Sequence, residues 1–353
     1  MSRRFATFAA GLILAIGSLP ASAFTPESGY YWNPAESGSG LSIEIQDNYV
    51  FLIGYVYDAQ GAPTWVSAQG LLTGNAVFTG QLDRFINGQC IGCAYRAPTA
   101  QTGVGGPISL NWATETTATL VWGGRTIPLQ RFDYYLTRTA GLDTGTEKML
   151  GEWQAVLDFY NLPGGNNRNF PFFGDVLIFD TLATTTSPDQ AQGCRPTTSL
   201  DGQCTTTSRT AHDAAATYSP NSPTAPPAHT HIITVRDTST TFLAYYVTVG
   251  TYQFDGVLEL CTGGQCGATG ATYLPVRGFR SASRKFVQDG TGPSADDKAL
   301  DANAAPDGLS KVLAQAGVQG RGLTAEQVRA RFDFDPATLA GEANALIATM
   351  GKR

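Results

Sequence analysis

Gly29-Tyr30-Tyr31-Trp32-Asn33-Pro34-Ala35-Glu36-Ser37-Gly38-Ser39-Gly40 runs directly into Leu41-Ser42-Ile43-Glu44-Ile45-Gln46. In the second half Leu41, Ile43 and Ile45 alternate with Ser42, Glu44 and Gln46. That period of two is the pattern of a half-buried β-strand. In the first half three aromatic residues meet Asn-Pro and a turn of small residues, which ends one strand and reverses the chain. Working outward, Asp47-Asn48 turns into a run from Tyr49 to Tyr57 rich in β-formers, and Asp58 to Pro63 turns again toward Trp65. Further strands are expected over residues 76–82, 108–112, 118–122 and 126–132. Turn signals that recur about every ten residues predict an antiparallel barrel or sandwich, here spanning residues 24–140.

Upstream, residues 1–23 read as a secretory signal. Arg3 and Arg4 precede an apolar run, and Ala21-Ser22-Ala23 forms an A-x-A cleavage motif, so the mature chain is expected to begin at Phe24. The expectation is an exported protein, periplasmic or secreted. After residue 23 no segment is apolar enough to span a bilayer as a helix.

Composition agrees with an exported β-protein. Only 15% of the 353 residues are charged, while Gly (40) and Pro (19) are plentiful for turns. The net charge of −6 removes the electrostatic case for nucleic acid, which needs a basic face.

A second β-domain is expected over residues 141–288, opening at Gly151-Glu152-Trp153. It is interrupted at about 183–228 by a stretch rich in Thr, Ser and Pro, read as a long irregular insertion. Thr126-Ile127-Pro128-Leu129-Gln130-Arg131-Phe132 aligns with Thr272 to Phe279 with one residue inserted. The two domains are therefore either a diverged duplication or unrelated sheets sharing common strand chemistry.

Residues 289–353 change to helical periodicity. Leu309, Val312, Leu313 and Ala316 share one face, Thr324-Ala325-Glu326-Gln327 is a capping box, and Asp335-Pro336 is an N-cap followed by proline at N1. Helices this short need a surface to pack on, which is either a β-domain or a protein partner. The fold class that results is mainly β: two antiparallel barrel or sandwich domains with a short C-terminal helical region.

Six cysteines fall into three close couples, Cys90 with Cys93, Cys194 with Cys204 and Cys261 with Cys266. In an exported chain these are expected as disulfides, the nearest-neighbour pairing being favoured by short loop closure among fifteen possibilities. Cys90-Ile91-Gly92-Cys93 also has the spacing of a redox pair or of half a zinc site. A redox pair ordinarily sits at the helix start of a βαβ unit, a context missing here.

The run from Tyr31 to Gly40, continued by Tyr57-Asp58-Ala59-Gln60-Gly61-Ala62-Pro63-Thr64-Trp65, resembles a module repeated in exported proteins of Gram-negative bacteria, W-N-P-x-E-S-G-x-G followed by Y-D-x-x-G-x-P-T-W. Those proteins are largely uncharacterised, so the resemblance implies an exported β-module and little chemistry. It covers the first domain, and touches the second only at its opening Trp. Many such modules carry an aromatic where this chain has Ser39. The opening is also similar to the short Gly-x-Trp start of avidin-like and lipocalin-like barrels.

Two constellations are candidates for function. Tyr31, Asn33, Glu36 and Trp65 are expected to form an aromatic-rich rim for a glycan or another envelope component, rings stacking while Asn33 and Glu36 orient the ligand. Trp32 is expected in the core. His229 and His231 lie two apart, so on a strand both imidazoles would share a face, and His212 with neighbouring Asp213 lies upstream. Such a set would suit zinc and metal-dependent hydrolysis. No nucleophile elbow and no phosphate-binding glycine loop occurs. The leading expectation is a non-enzymatic binding protein without cofactor. The alternatives are a metal-dependent hydrolase and an assembly component docking through its C-terminal helices.

Overall fold

A computed structural model describes residues 24–350 apart from 75, 135, 137–143, 160–161, 163–171, 185–188, 198–202, 220–229, 290–308, 319–320 and 333. Residues 1–23, expected as a signal segment, and His229 lie outside the described residues.

Eight antiparallel strands close a first barrel in simple sequence order: β1 (Gly29–Trp32), β2 (Gly40–Gln46), β3 (Tyr49–Tyr57), β4 (Pro63–Thr73), β5 (Val77–Ile86), β6 (Thr99–Trp112), β7 (Thr117–Trp122) and β8 (Arg125–Arg131). Closure is made by β8 pairing back on β1, with Tyr31 opposite Arg131. Closing the sheet removes its edges, which would otherwise invite pairing with other chains. The interior is filled by the inward residues of every strand, among them Tyr31, Leu41, Ile43, Leu52, Phe78, Leu110 and Trp112.

A short turn of helix, α1 (Thr144–Glu147), leads to the second barrel: β9 (Gly151–Asp158), β10 (Phe172–Ala183), β11 (Gln190–Cys194), β12 (Asp213–Ser219), β13 (Thr230–Arg236), β14 (Thr241–Val249), β15 (Gln253–Thr262) and β16 (Tyr273–Ser283). It too is closed and antiparallel, with β16 pairing on β9. The mainly β expectation therefore holds in its barrel form.

The insertion expected at 183–228 is corrected by this topology. Two of the eight strands, β11 and β12, lie inside it, with helix α2 (Thr206–His212) between them. The segment Asp213-Ala214-Ala215-Ala216 lacks the β-branched and aromatic residues that mark a strand. Small residues serve here because the strand is buried on both faces: Ala214 and Ala216 point into the barrel core, and Ala215 meets the helices outside. Close packing on two sides decides this strand, not propensity.

The chain ends in α3 (Arg284–Asp289), α4 (Leu309–Gln315), α5 (Ala325–Phe332) and α6 (Pro336–Thr349). Thr324 and Gln327 exchange the reciprocal bonds of a capping box at 2.9 and 3.2 Å, and the Asp335 carboxylate accepts from Ala337 N at 3.0 Å. Helix α4 completes the core of the second barrel, contributing Leu309 and Leu313 beside Trp153, Phe179 and Tyr245. Helices α5 and α6 lie on the barrel's outer wall, where Val328, Leu339, Ala343 and Leu346 cover Ile232, Phe242, Ala244 and Tyr246. Their apolar faces are thus buried against the chain's own second barrel.

A buried polar network anchors α4. Arg195 makes two parallel bonds of 2.8 Å to Asp175 and one of 3.0 Å to Asp237, while Tyr245 donates to Asp175 at 2.6 Å. Asp237 in turn accepts from the backbone N–H groups of Leu309 and Ser310 at the start of α4. Those amides have no partner within the helix, and the carboxylate supplies one. Burial would raise the Asp237 carboxyl, but hydrogen bonding from Ser310 and then the charge of Arg195 hold it below the usual carboxylate range.

The two barrels meet at a polar seam. Glu27, almost wholly buried, accepts from the backbone N–H groups of Thr251, Tyr252 and Gln253 at 2.9, 2.7 and 3.2 Å, so it caps the hairpin between β14 and β15. Arg131 donates to Thr251 Oγ1 at 2.6 Å and pairs with Asp133 at 3.1 Å, and Lys148 pairs with Asp133 at 2.7 Å. Glu115, in the turn between β6 and β7, is buried with neither carboxyl oxygen hydrogen-bonded. Burial first, then the negative charge of Asp255, pushes its carboxyl well above the usual range.

Candidate functional site on the outer wall of the first barrel

Strand β3 places every second residue outward, and the sequence makes those residues Tyr49, Phe51, Ile53, Tyr55 and Tyr57. Four of the five are rings, each between 43% and 57% exposed. Register then sets their neighbours. Gly40 of β2 lies opposite Tyr55, and Tyr55 lies opposite Trp65 of β4, itself 42% exposed. On β5 the ring of Phe85 stacks on Trp65, centroids 5.3 Å apart and planes 11° from parallel. On the other side Tyr30 of β1 leans across Gly40, its ring centroid 6.4 Å from Tyr55 and 6.4 Å from Phe132. A side chain at Gly40 would collide with the Tyr30 phenol, so glycine is what lets the ring bridge β2. Trp32 closes the row against Phe132 at 5.2 Å. Rings on β1, β3, β4 and β5, with Gly40 of β2 between them, thus share one outer face, Tyr30 reaching in from the next row.

Polar residues flank those rings. Tyr30, Ser42, Ile53, Ser67 and Asp83 form the next row of cross-strand partners, and Glu44, Phe51 and Gln69 the one after. Ser42, Glu44 and Gln69 are exposed, Ser67 is buried, and Asp83 is turned to accept from Gly103 N at 2.7 Å. The face therefore offers rings, a hydroxyl, a carboxylate and an amide side by side.

Of the rim residues expected from sequence, Trp65 stands in this wall and Tyr31 does not. Tyr31 is fully buried, packs edge-on against Trp112 at 6.2 Å, and donates to the carbonyls of Glu27 and Glu115 at 2.7 and 3.0 Å. Trp32, expected in the core, is only partly buried, on the outer side. Pairing fixes this inversion: Tyr31 opposes Leu41, an inward residue, so its neighbours Tyr30 and Trp32 must face out. Asn33 organises the turn, its side-chain oxygen accepting from Ala35 N at 3.1 Å. Glu36 is exposed and doubly bonded to Arg125 at 2.6 and 2.8 Å, beside the end of the wall where Gly38 faces the Tyr57 ring. Sequence reading passed over Tyr55, for which the alternation along β3 was the available signal, and Phe85, which joins through the β4–β5 pairing.

The histidines do not come together on the described residues. His231 is buried, its Nε2 2.7 Å from the Gly145 carbonyl and its ring against Tyr218. The Nδ1 of His212 lies 3.0 Å from the Arg236 carbonyl. Among the described residues one group has metal-like donor spacing, Glu259 with Cys261 and Cys266. There the sulfurs face each other as a disulfide, and the carboxylate accepts from Tyr246 at 2.9 Å and from Gly267 N at 2.6 Å.

All three cysteine couples stand as disulfides, with Cα separations of 5.2 Å for Cys90–Cys93, 5.7 Å for Cys194–Cys204 and 4.6 Å for Cys261–Cys266. These lie within the span a disulfide bridges.

No protein-family model matches the chain, and no curated protein matches it. Among solved structures, a protein of unknown function from the DUF3598 family of Nostoc punctiforme is similar at 10% identity, over 71% of this chain and 92% of that one, with a TM-score of 0.17. A likeness that low carries no argument.

Proposed function

We propose that this is an exported, non-enzymatic binding protein whose first barrel takes a glycan of the cell envelope or its surroundings on the outer wall. The observation that carries the reading is the set of rings Trp32, Tyr30, Tyr55, Trp65 and Phe85 on one outer face, with Tyr55 and Trp65 exposed, beside Ser42, Glu44 and Gln69. A sugar ring has C–H faces that lie against aromatic rings and hydroxyls that need donors and acceptors at their edge. A contiguous exposed apolar patch is uncommon on a monomeric protein and marks a contact surface. The second barrel supplies the contrast, since its apolar outer wall is covered by α5 and α6. Export is supported by the charged, apolar and A-x-A pattern of residues 1–23 and by three cysteine pairs at disulfide separation.

Binding of the mature protein to an array of bacterial envelope and extracellular glycans tests the reading. Retention that disappears in Tyr55→Ala and Trp65→Ala, with the barrel still folded, is the expected result. An array without retained glycan, or retention indifferent to both substitutions, contradicts it.

A further inference from the structure

We propose that Cys90–Cys93 is a reversible thiol–disulfide exchange site, acting on dithiols of peptides or unfolded protein segments. The pair sits at the tip of the arm formed by β5 and β6, where residues 87–100 are all exposed and Ile91 is as open as a free residue. Both sulfurs can therefore be approached by an attacking thiolate. The other two disulfides are placed differently. Cys194 and Cys261 are fully buried, and the Cys266 backbone is tied to Asn344 of α6 on both sides, at 2.7 and 3.2 Å. Exposed disulfides are the ones that open and exchange, whereas buried ones resist attack.

Loop size points the same way. The Cys90–Cys93 bridge encloses two residues, so it restrains the unfolded chain least of the three, and among the described residues it belongs to no hydrophobic core. What shapes this loop is a turn. Cys93 N–H donates to the Cys90 carbonyl at 3.1 Å, and Gly92 takes φ +82° with open space around it. Glycine is required there by backbone conformation and not by crowding. The turn does not need the sulfur bridge, so in the reduced chain both thiols stay beside each other, ready to close again.

The exchange balances without a cofactor. A peptide thiolate attacks one sulfur, forming a mixed disulfide and releasing the other cysteine as a thiolate that takes up a proton. The peptide's second thiol then displaces the remaining cysteine. The peptide loses two electrons and two protons as its own disulfide forms, and Cys90 and Cys93 gain them.

The test places the full mature chain in glutathione buffers of stepped ratio, traps thiols by alkylation and locates them by mass. Cys90 and Cys93 are expected to open together while Cys194–Cys204 and Cys261–Cys266 stay closed and the near-UV circular dichroism stays unchanged. The oxidised protein should also convert one equivalent of a reduced dithiol peptide, an activity absent from the Cys90→Ser/Cys93→Ser double variant. Gly92→Val should slow reclosure of the reduced pair. Opening only together with the buried pairs, loss of the fold on opening, or equal peptide oxidation by the double variant would each overturn the proposal.

Discussion

Tyr31 and Trp153 hold the same position in the two barrels. Each lies two residues after a glycine with positive φ, +155° at Gly29 and +135° at Gly151. Each donates to the carbonyl of the residue four before it, Tyr31 to Glu27 at 2.7 Å and Trp153 to Met149 at 2.8 Å. An arginine of the closing strand completes the corner. Arg131 donates to the Ser28 carbonyl at 3.0 Å, and Arg280 donates to the Leu150 carbonyl. Glycine, ring, carbonyl and arginine repeated in both barrels fit a diverged duplication better than two unrelated sheets.

That corner is expected to hold each barrel shut. Arg280 also donates to Lys148 and Thr251 carbonyls and lies 4.1 Å over the Trp153 ring. Replacing it by Met leaves those carbonyls without a donor, so Arg280→Met should cost about 3 kcal/mol. Trp153→Ala should cost about 3–5 kcal/mol through the cavity it leaves. Tyr31→Phe keeps the ring and should cost about 1 kcal/mol. Urea unfolding at constant pH gives all three, and the expected order is Trp153→Ala, Arg280→Met, Tyr31→Phe.

Glu27 ties the barrels together through three backbone amides of the second one. Glu27→Ala should uncouple them at a cost of about 2–3 kcal/mol, since bonds to a buried charge are the strong ones. Calorimetry should then resolve two thermal transitions where the native chain gives a merged one.

The seam also carries a pH dependence. Burial pushes the Asp255 carboxyl up to about 7, in spite of Arg277 at 3.2 Å. An unfolded aspartate releases its proton near pH 4, so between about pH 4 and 7 the folded chain holds a proton that the unfolded chain has lost. Stability from this group is therefore present below pH 4 and is lost as pH rises to 7, and Glu115, whose carboxyl is also raised, acts in the same direction. Asp255→Asn should flatten the urea midpoint across pH 5–7, and Glu115→Gln should likewise reduce the loss of stability with rising pH. An unchanged slope in both variants would contradict the assignment.

Removal of residues from 309 onward should do more than free a tail. It takes Leu309 and Leu313 out of the barrel core and bares Phe242 and Tyr246 on the wall. A truncated chain is expected to bind a hydrophobic dye and to aggregate at concentrations where the full chain stays monodisperse.

What could be read from the sequence followed local chemistry. The alternation of Leu41, Ile43 and Ile45, the capping box at Thr324 and the proline after Asp335 all act within a few residues, and each produced the element it signalled. The Ala214–Ala216 strand was hidden because contacts made far along the chain, not propensity, hold it. The wall was half legible for a similar reason. Trp65 could be named, but which of Tyr30, Tyr31 and Trp32 faced outward depended on the register with β2, and the Phe85 ring joins only through the β4–β5 pairing.

The wall itself is tested most directly by titration calorimetry of the chain from Phe24 onward with a soluble oligosaccharide retained on the array. Trp65→Ala is expected to weaken binding at least about tenfold, equivalent to about 1.4 kcal/mol, with Tyr55→Ala behaving alike and Trp65→Phe recovering part of the loss. Glu36→Ala, which removes an exposed ion pair outside the row of rings, should leave the affinity within about twofold. Equal affinity of the Trp65→Ala and native proteins would contradict the account.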